Sequence, residues 1–193
     1  GPRQSGKTTL ARSTFPQKPY LSLEDPDVRA TAESDPRGLL AGFPEGAILD
    51  EAQRAPHLFS YLQTKVDERF IPGMFVLTGS QQFGLLSGIT QSLAGRVGLI
   101  HLLPFATSEL SPAGRLPESL EDLMLRGLYP PLYDRPILPG DWFPGYVATY
   151  VERDARQLLN VRDLSTFQRF VKMCAARTGQ MLNLSSLATD CGI

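Results

Sequence analysis

The chain has 193 residues, 42% of them hydrophobic and 20% charged, with 19 Lys and Arg against 20 Asp and Glu for a formal net charge of −1. That composition excludes collagen, disorder and a disulfide framework, and the length suffices for one substantial core or two small ones. No run approaches the ~20 apolar residues of a bilayer span and no leader precedes a cleavage site, so the expectation is a cytoplasmic protein without membrane contact.

The first residue is Gly rather than Met, which suggests an excised piece. Residues 7–14 carry good helix formers and stop at Pro16. Tyr20 to Leu23 is a short apolar run entering the acidic cluster Glu24, Asp25 and Asp27, as a strand running into a loop would. Ala47 to Glu51 is a second strand. Leu58, Leu62 and Val66 repeat at helical spacing after Pro56. Met74 to Leu77 is a third strand, a helix is expected over 82–94, and Val97 to Leu103 is a fourth apolar run closed by Pro104. Alternating strands and helices point to a parallel sheet covered on both faces. Beyond Pro104 the pattern turns helical. Phe143, Tyr146, Val147 and Tyr150 share one helical face, and Phe167, Phe170, Val171 and Cys174 another. The expected divisions are 1–105, 106–160 and 161–193.

Residues 1–8, Gly1-Pro2-Arg3-Gln4-Ser5-Gly6-Lys7-Thr8, fit G-x-x-x-x-G-K-[ST] at every specified position. A chance match in a chain this long is on the order of one per cent, taking average residue usage. The glycines let backbone N–H groups turn toward phosphate, and a helix starting at Lys7 aims its positive dipole end there. Lys7 reaches the β- and γ-phosphates, and the Thr8 hydroxyl is a hard oxygen ligand for Mg²⁺. Residues 1–9, including Thr9, form the expected nucleotide-binding segment.

The strand ending in Asp50-Glu51 supplies the second element. A carboxylate at the end of a buried strand can lie beside the phosphate loop and hold Mg²⁺, which is the role assigned to Asp50. Its neighbour Glu51 would orient and polarise the attacking water. Thr78 or Ser80, at the end of the next strand, could hydrogen-bond that water or the γ-phosphate, although Ser and Gly also simply end strands. Arg96 follows a helix and either caps its negative end or reaches a neighbouring subunit's γ-phosphate. The lone His57 and His101 have no metal-ligand company, nor do Cys174 and Cys191, whose number suits a reducing compartment. Trp142, next to Phe143, reads as a packing anchor.

Together GPRQSGKTTLA, ILDEAQRAP, FVLTGSQQF and SLAGRVGLIHLLPF resemble the AAA+ ATPases, in particular the bacterial and archaeal group whose ATPase domain precedes a C-terminal region of unknown function. The stretch from Tyr150 to Leu159 resembles the opening of that region. The resemblance implies an α/β P-loop NTPase fold lacking its first strand, a helical lid and the start of a winged-helix-like region. It implies ATP and Mg²⁺ as cofactors, with Lys7, Thr8, Asp50 and Glu51 in the roles above. Thr78 or Ser80 falls at the first sensor position and Arg96 where a finger often sits, which raises the expectation of a homo-oligomer. Arg126 and Arg153 are equal candidates for the second sensor.

Residues 182–193 resemble the first helix and turn of a helix-turn-helix, with Ser as N-cap and Gly in the turn. Residues 150–177 hold six bases and three acids. DNA is therefore a possible partner through a unit completed outside this chain, against the plainer reading of a solvated helix pair. Three functions follow: ATP hydrolysis that drives a partner's rearrangement, a nucleotide-gated DNA-binding regulator, and a small-molecule kinase. Asp50-Glu51 at the end of its own strand speaks against the last.

Overall fold

The computed structural model describes residues 1–69, 71–80, 92–151 and 163–192. These gather into two compact units, Gly1–Arg135 and Pro136–Ile193.

The first unit is built on a three-stranded parallel sheet of order β1-β2-β3, with β1 at Tyr20–Ser22, β2 at Ile48–Asp50 and β3 at Val76–Leu77. Tyr20 pairs with Ile48 and Ser22 with Asp50, while Ile48 and Leu49 pair with Val76 and Leu77. The ladder runs past the strand ends, since Thr78 N donates to Leu49 O and Ala52 N to Thr78 O, both at 3.0 Å. Residues 50–52 and 78 are thereby held side by side. Gly46 turns the chain into β2 at φ +85°, where a Cβ would strike the Met74 carbonyl, so only glycine lets β2 and β3 start this close.

All of β2 is buried, and its alternation divides the two faces. Leu49 joins Leu21, Leu40, Leu58, Phe59 and Leu62 in one apolar cluster. That face is covered by α2 (Pro26–Ser34), α3 (Pro36–Ala41) and α4 (Leu58–Glu68). The opposite face presents Asp50 to α1 (Lys7–Thr14), the helix expected at 7–14. The sheet is therefore flanked by helices on both sides.

Two features differ from the sequence expectations. The acidic stretch after β1 is a pair of helix starts: Asp25 caps α2 by accepting from the N–H groups of Asp27 and Val28, Asp35 caps α3 through Gly38 N–H, and a Pro follows each. The fourth expected strand, Val97 to Leu103, is not a strand. It makes no ladder with β3 and instead lines, with β3, α1 and α4, an apolar cleft of about 540 Å³. An apolar run becomes a strand only when a neighbour takes its backbone groups, and here Ile100 is 89% exposed. Most of the expected helix 82–94 lies outside the described residues.

Three short helices close the first unit: α5 (Thr107–Leu110), α6 (Leu120–Arg126) and α7 (Pro131–Asp134). The second unit begins with α8 (Pro139–Tyr146), which continues into a π-helical turn over Val147–Val151. Trp142 stacks on Tyr146 at 4.7 Å and meets Phe143 edge-on, both within α8. Then come α9 (Leu164–Ala176) and α10 (Leu184–Cys191). The N-cap of α10 is Asn183, whose side chain accepts from Ser186 N–H, and not a serine; Gly192 ends the helix at φ +78°. Asn places its carbonyl one residue ahead of the Leu-rich run, where the orphan N–H groups point.

Candidate nucleotide site

The loop before α1 takes its shape from two left-handed residues, Gln4 at φ 59° and Gly6 at φ 87°. Gly6 is the N-cap, and its carbonyl accepts the first helical bond from Leu10 N at 2.9 Å. Successive left- and right-handed residues fold backbone N–H groups into a concavity that suits an anion, with the positive end of α1 behind it. The Lys7 ammonium lies over this loop, donating to Gly1 O at 3.2 Å and to Pro2 O and Ser5 Oγ. Burial lowers its pKa from the ordinary lysine value; Glu51 opposes that shift, Arg3 adds to it and Asp50 opposes it. A partly desolvated cation beside an anion-shaped loop gains most from a ligand carrying concentrated negative charge.

Asp50 collects donors from three directions. Thr8 Oγ1 lies 3.0 Å from Oδ1 and 2.9 Å from Oδ2, Tyr20 OH donates to Oδ2 at 2.7 Å, and Thr78 Oγ1 donates to Oδ1. The carboxylate is 8% exposed, so this set of donors replaces the water it gave up. Burial and the bond to Asp50 push the Tyr20 phenol up to about 12, which keeps it a donor.

Glu51 has left-handed backbone, φ 53° and ψ 45°, a conformation that carries strain in a residue with a Cβ. It turns the chain from β2 into the 3₁₀ turn Ala52–Arg54. Its Oε2 accepts from Ser80 Oγ at 3.0 Å and from Gln53 Nε2. Among the described residues, Gln53 Oε1 is buried without a hydrogen-bond partner. The two hydroxyl residues after β3 are thus divided, Thr78 serving Asp50 and Ser80 serving Glu51.

Tyr20 and Gln53 were not singled out from the sequence. The signal for Tyr20 is the sheet register: it pairs with Ile48, and an aromatic side chain reaches the diagonal neighbour two positions on, which is Asp50. Gln53 stands two residues from Glu51, a spacing that reads as a turn.

Other sequence candidates lie elsewhere. Arg96 makes a bidentate pair with Asp67 of α4, at 2.6 and 3.0 Å, and donates to Ala94 O at 3.1 Å. The helix whose end it was expected to cap lies almost wholly outside the described residues. The Arg126 guanidinium lies 5.7 Å from the Tyr133 ring centroid. Arg153, Arg156 and Arg162 fall outside the described residues. Arg177, another of the bases, is tied to Asp190 and to Ser186, which holds α10 to the end of α9. His57 and His101 are exposed, and Cys174 and Cys191 are free thiols. Among the described residues no helix is long and apolar enough to cross a membrane.

A glycine loop opening a helix, beside a parallel sheet whose middle strand ends in a carboxylate bonded to that helix's first turn, defines a phosphate-loop-like α/β protein. A family model described as an AAA domain matches residues 1–111, and the chain belongs to that family, as a nucleotide-binding AAA-type protein. A domain of unknown function, DUF8612, matches residues 117–193. Uncharacterized proteins of Mycobacterium bovis and Mycobacterium tuberculosis are each 34% identical over 191 residues, which is 97% of this chain and 42% of theirs. The chain thus spans less than half the length of these relatives. No solved structure matches it.

Proposed function

We propose that this chain binds ATP with Mg²⁺ and hydrolyses it, and that the hydrolysis drives rearrangement of a partner or of neighbouring copies. One observation carries the reading: the Thr8 hydroxyl, in the first turn behind the glycine loop, lies within 3.0 Å of both carboxylate oxygens of Asp50, 42 residues away at the end of β2. A hydroxyl and a carboxylate converging next to a half-buried lysine are the hard oxygen donors that Mg²⁺ takes alongside phosphate.

Thr8 and Asp50 would hold the ion, which supplies charge neutralisation to the phosphates when bound. The loop and Lys7 bind the β- and γ-phosphates. Glu51 accepts the proton of a water whose oxygen forms the new bond to the γ-phosphorus, while the bond from that phosphorus to the β–γ bridging oxygen breaks and ADP leaves with that oxygen. Ser80 and Gln53 set the Glu51 carboxylate for this, and Thr78 keeps Asp50 in place. Residues 106–160 would act as lid and connector, and 161–193 would begin a winged-helix-like region.

The test is phosphate release by the full chain from ATP with Mg²⁺ and no added acceptor. The reading expects free phosphate, abolished by Lys7→Ala. No free phosphate in that reaction, with phosphoryl transfer once an acceptor is supplied in a second one, would identify a kinase instead, and tight ATP binding without turnover in either would leave nucleotide gating.

A further inference from the structure

Resting on the nucleotide-site reading above, we propose that Tyr20 is a positioning residue for the metal: its hydroxyl, anchored through its ring, fixes the orientation in which Asp50 shares the ion with Thr8.

The two oxygens of Asp50 are unequally served. Oδ1 has Thr78 and Oδ2 has Tyr20, while Thr8 Oγ1 sits nearly equidistant from both. A hydroxyl has one proton. Once Thr8 turns a lone pair toward a cation, it no longer donates to Asp50, and among the described residues Thr78 and Tyr20 still hold the carboxylate, one at each oxygen. Two donors at opposite ends pin its plane; one leaves it free to swing.

The Tyr20 ring is held for this task. β1 places it on the same sheet face as Ile48 and Asp50, and the Arg12 guanidinium of α1 lies 4.8 Å from its centroid. Arg12 is one helical turn beyond Thr8, so the helix that carries the hydroxyl ligand also presses on the ring that orients the carboxylate. The three elements that meet at Asp50, namely β1, β2 and α1, are thus tied by one side chain. A phenylalanine would fill the same volume under Arg12, so the hydroxyl serves Asp50 and not packing. Donors behind a metal's ligands typically carry ten- to a hundredfold of the metal affinity.

The test uses the full chain, a fluorescent ATP analogue and Mn²⁺ as the ion. For Tyr20→Phe, the proposal expects a folded chain with a slightly lowered thermal midpoint, unchanged analogue affinity in EDTA, and a rise of about tenfold in the Mn²⁺ concentration that half-saturates metal-dependent binding. An equal or lower Mn²⁺ requirement overturns it, and so does an equal loss in EDTA and in Mn²⁺, which would mean a purely structural tyrosine. Should Phe at position 20 unfold the chain, Arg12→Ala carries the test: it keeps the hydroxyl and releases the ring, with roughly a threefold rise expected and no rise overturning the proposal. Wild-type chain that binds no analogue with Mn²⁺ would sink the nucleotide reading itself. Wild-type chain that binds it, with a Mn²⁺ dependence the variants share, would sink only the role of Tyr20.

Discussion

Asp50 in the first unit and Asp163 in the second each accept several hydrogen bonds, but from different distances along the chain. The donors to Asp50 stand 28, 30 and 42 residues away. Those to Asp163 are Ser165 and Thr166, two and three residues on, through both backbone and side chain. Asp163 is exposed and starts α9, which is local chemistry that any helix N-terminus rewards. Asp50 is buried, and its donors converge only when sheet, loop and helix are all in place. A buried carboxylate costs the fold desolvation that a well-packed apolar residue would not, so its placement at the end of β2 points to use rather than to folding.

The sharpest way to break this contrast is Lys7→Ala. If the first unit is a phosphate site, ATP affinity measured by calorimetry falls roughly a hundredfold, the usual cost of truncating a charged group that meets an opposite charge, while the circular dichroism is unchanged. An affinity within twofold of wild type would break it. Next comes packing. Leu49→Ala, at a fully buried position, should lower unfolding stability by about 2–5 kcal/mol in denaturant titrations. Leu182→Ala, at a position 72% exposed, should change it by less than about 0.5 kcal/mol.

Acid tests the local cap at Asp163 directly. Hydrogen bonds from Thr166 and Ser165 hold Asp163 down at about 2, against about 3.9 in the unfolded chain. A depressed carboxylate stabilises the fold above its unfolded pKa, and that contribution is lost as the pH falls from about 4 through about 2. The support that Asp163 gives the start of α9 should decline over that window in wild type, and Asp163→Ala should show modestly lower helicity already at neutral pH. The smallest effect is expected for Arg96→Ala. Its partner Asp67 is exposed, so the thermal midpoint should barely move; a large drop would mean that this pair organises the first unit.

Much of the first unit was legible in the sequence. The bounds of α1 follow from the glycine loop before it and Pro16 after it, and the three strands from apolar runs bounded by Pro and Gly. The helices α2 and α3 were obscured by their own caps, because Asp25-Pro26 and Asp35-Pro36 sit among charges that read as a loop. Val97 to Leu103 misled in the opposite sense, since apolarity reports what a segment could bury and pairing depends on what lies alongside. At the candidate site, Lys7, Thr8, Asp50 and Glu51 stood out by spacing within short motifs. Tyr20 did not, because a tyrosine in an apolar strand looks like core until the parallel register brings it diagonal to Asp50. The donors from Ser80 and Thr78 were visible as residue types, but which carboxylate each serves depends on the ladder that runs on past β3.

The central claim is that the groups meeting at the end of β2 carry out hydrolysis. It is tested most directly by Glu51→Gln, with ATP affinity and phosphate release measured on the same preparation of the full chain. Removing a general base while keeping its shape should leave ATP affinity within about twofold and lower phosphate release by roughly a hundredfold or more. Phosphate release at the wild-type rate from Glu51→Gln would contradict the account.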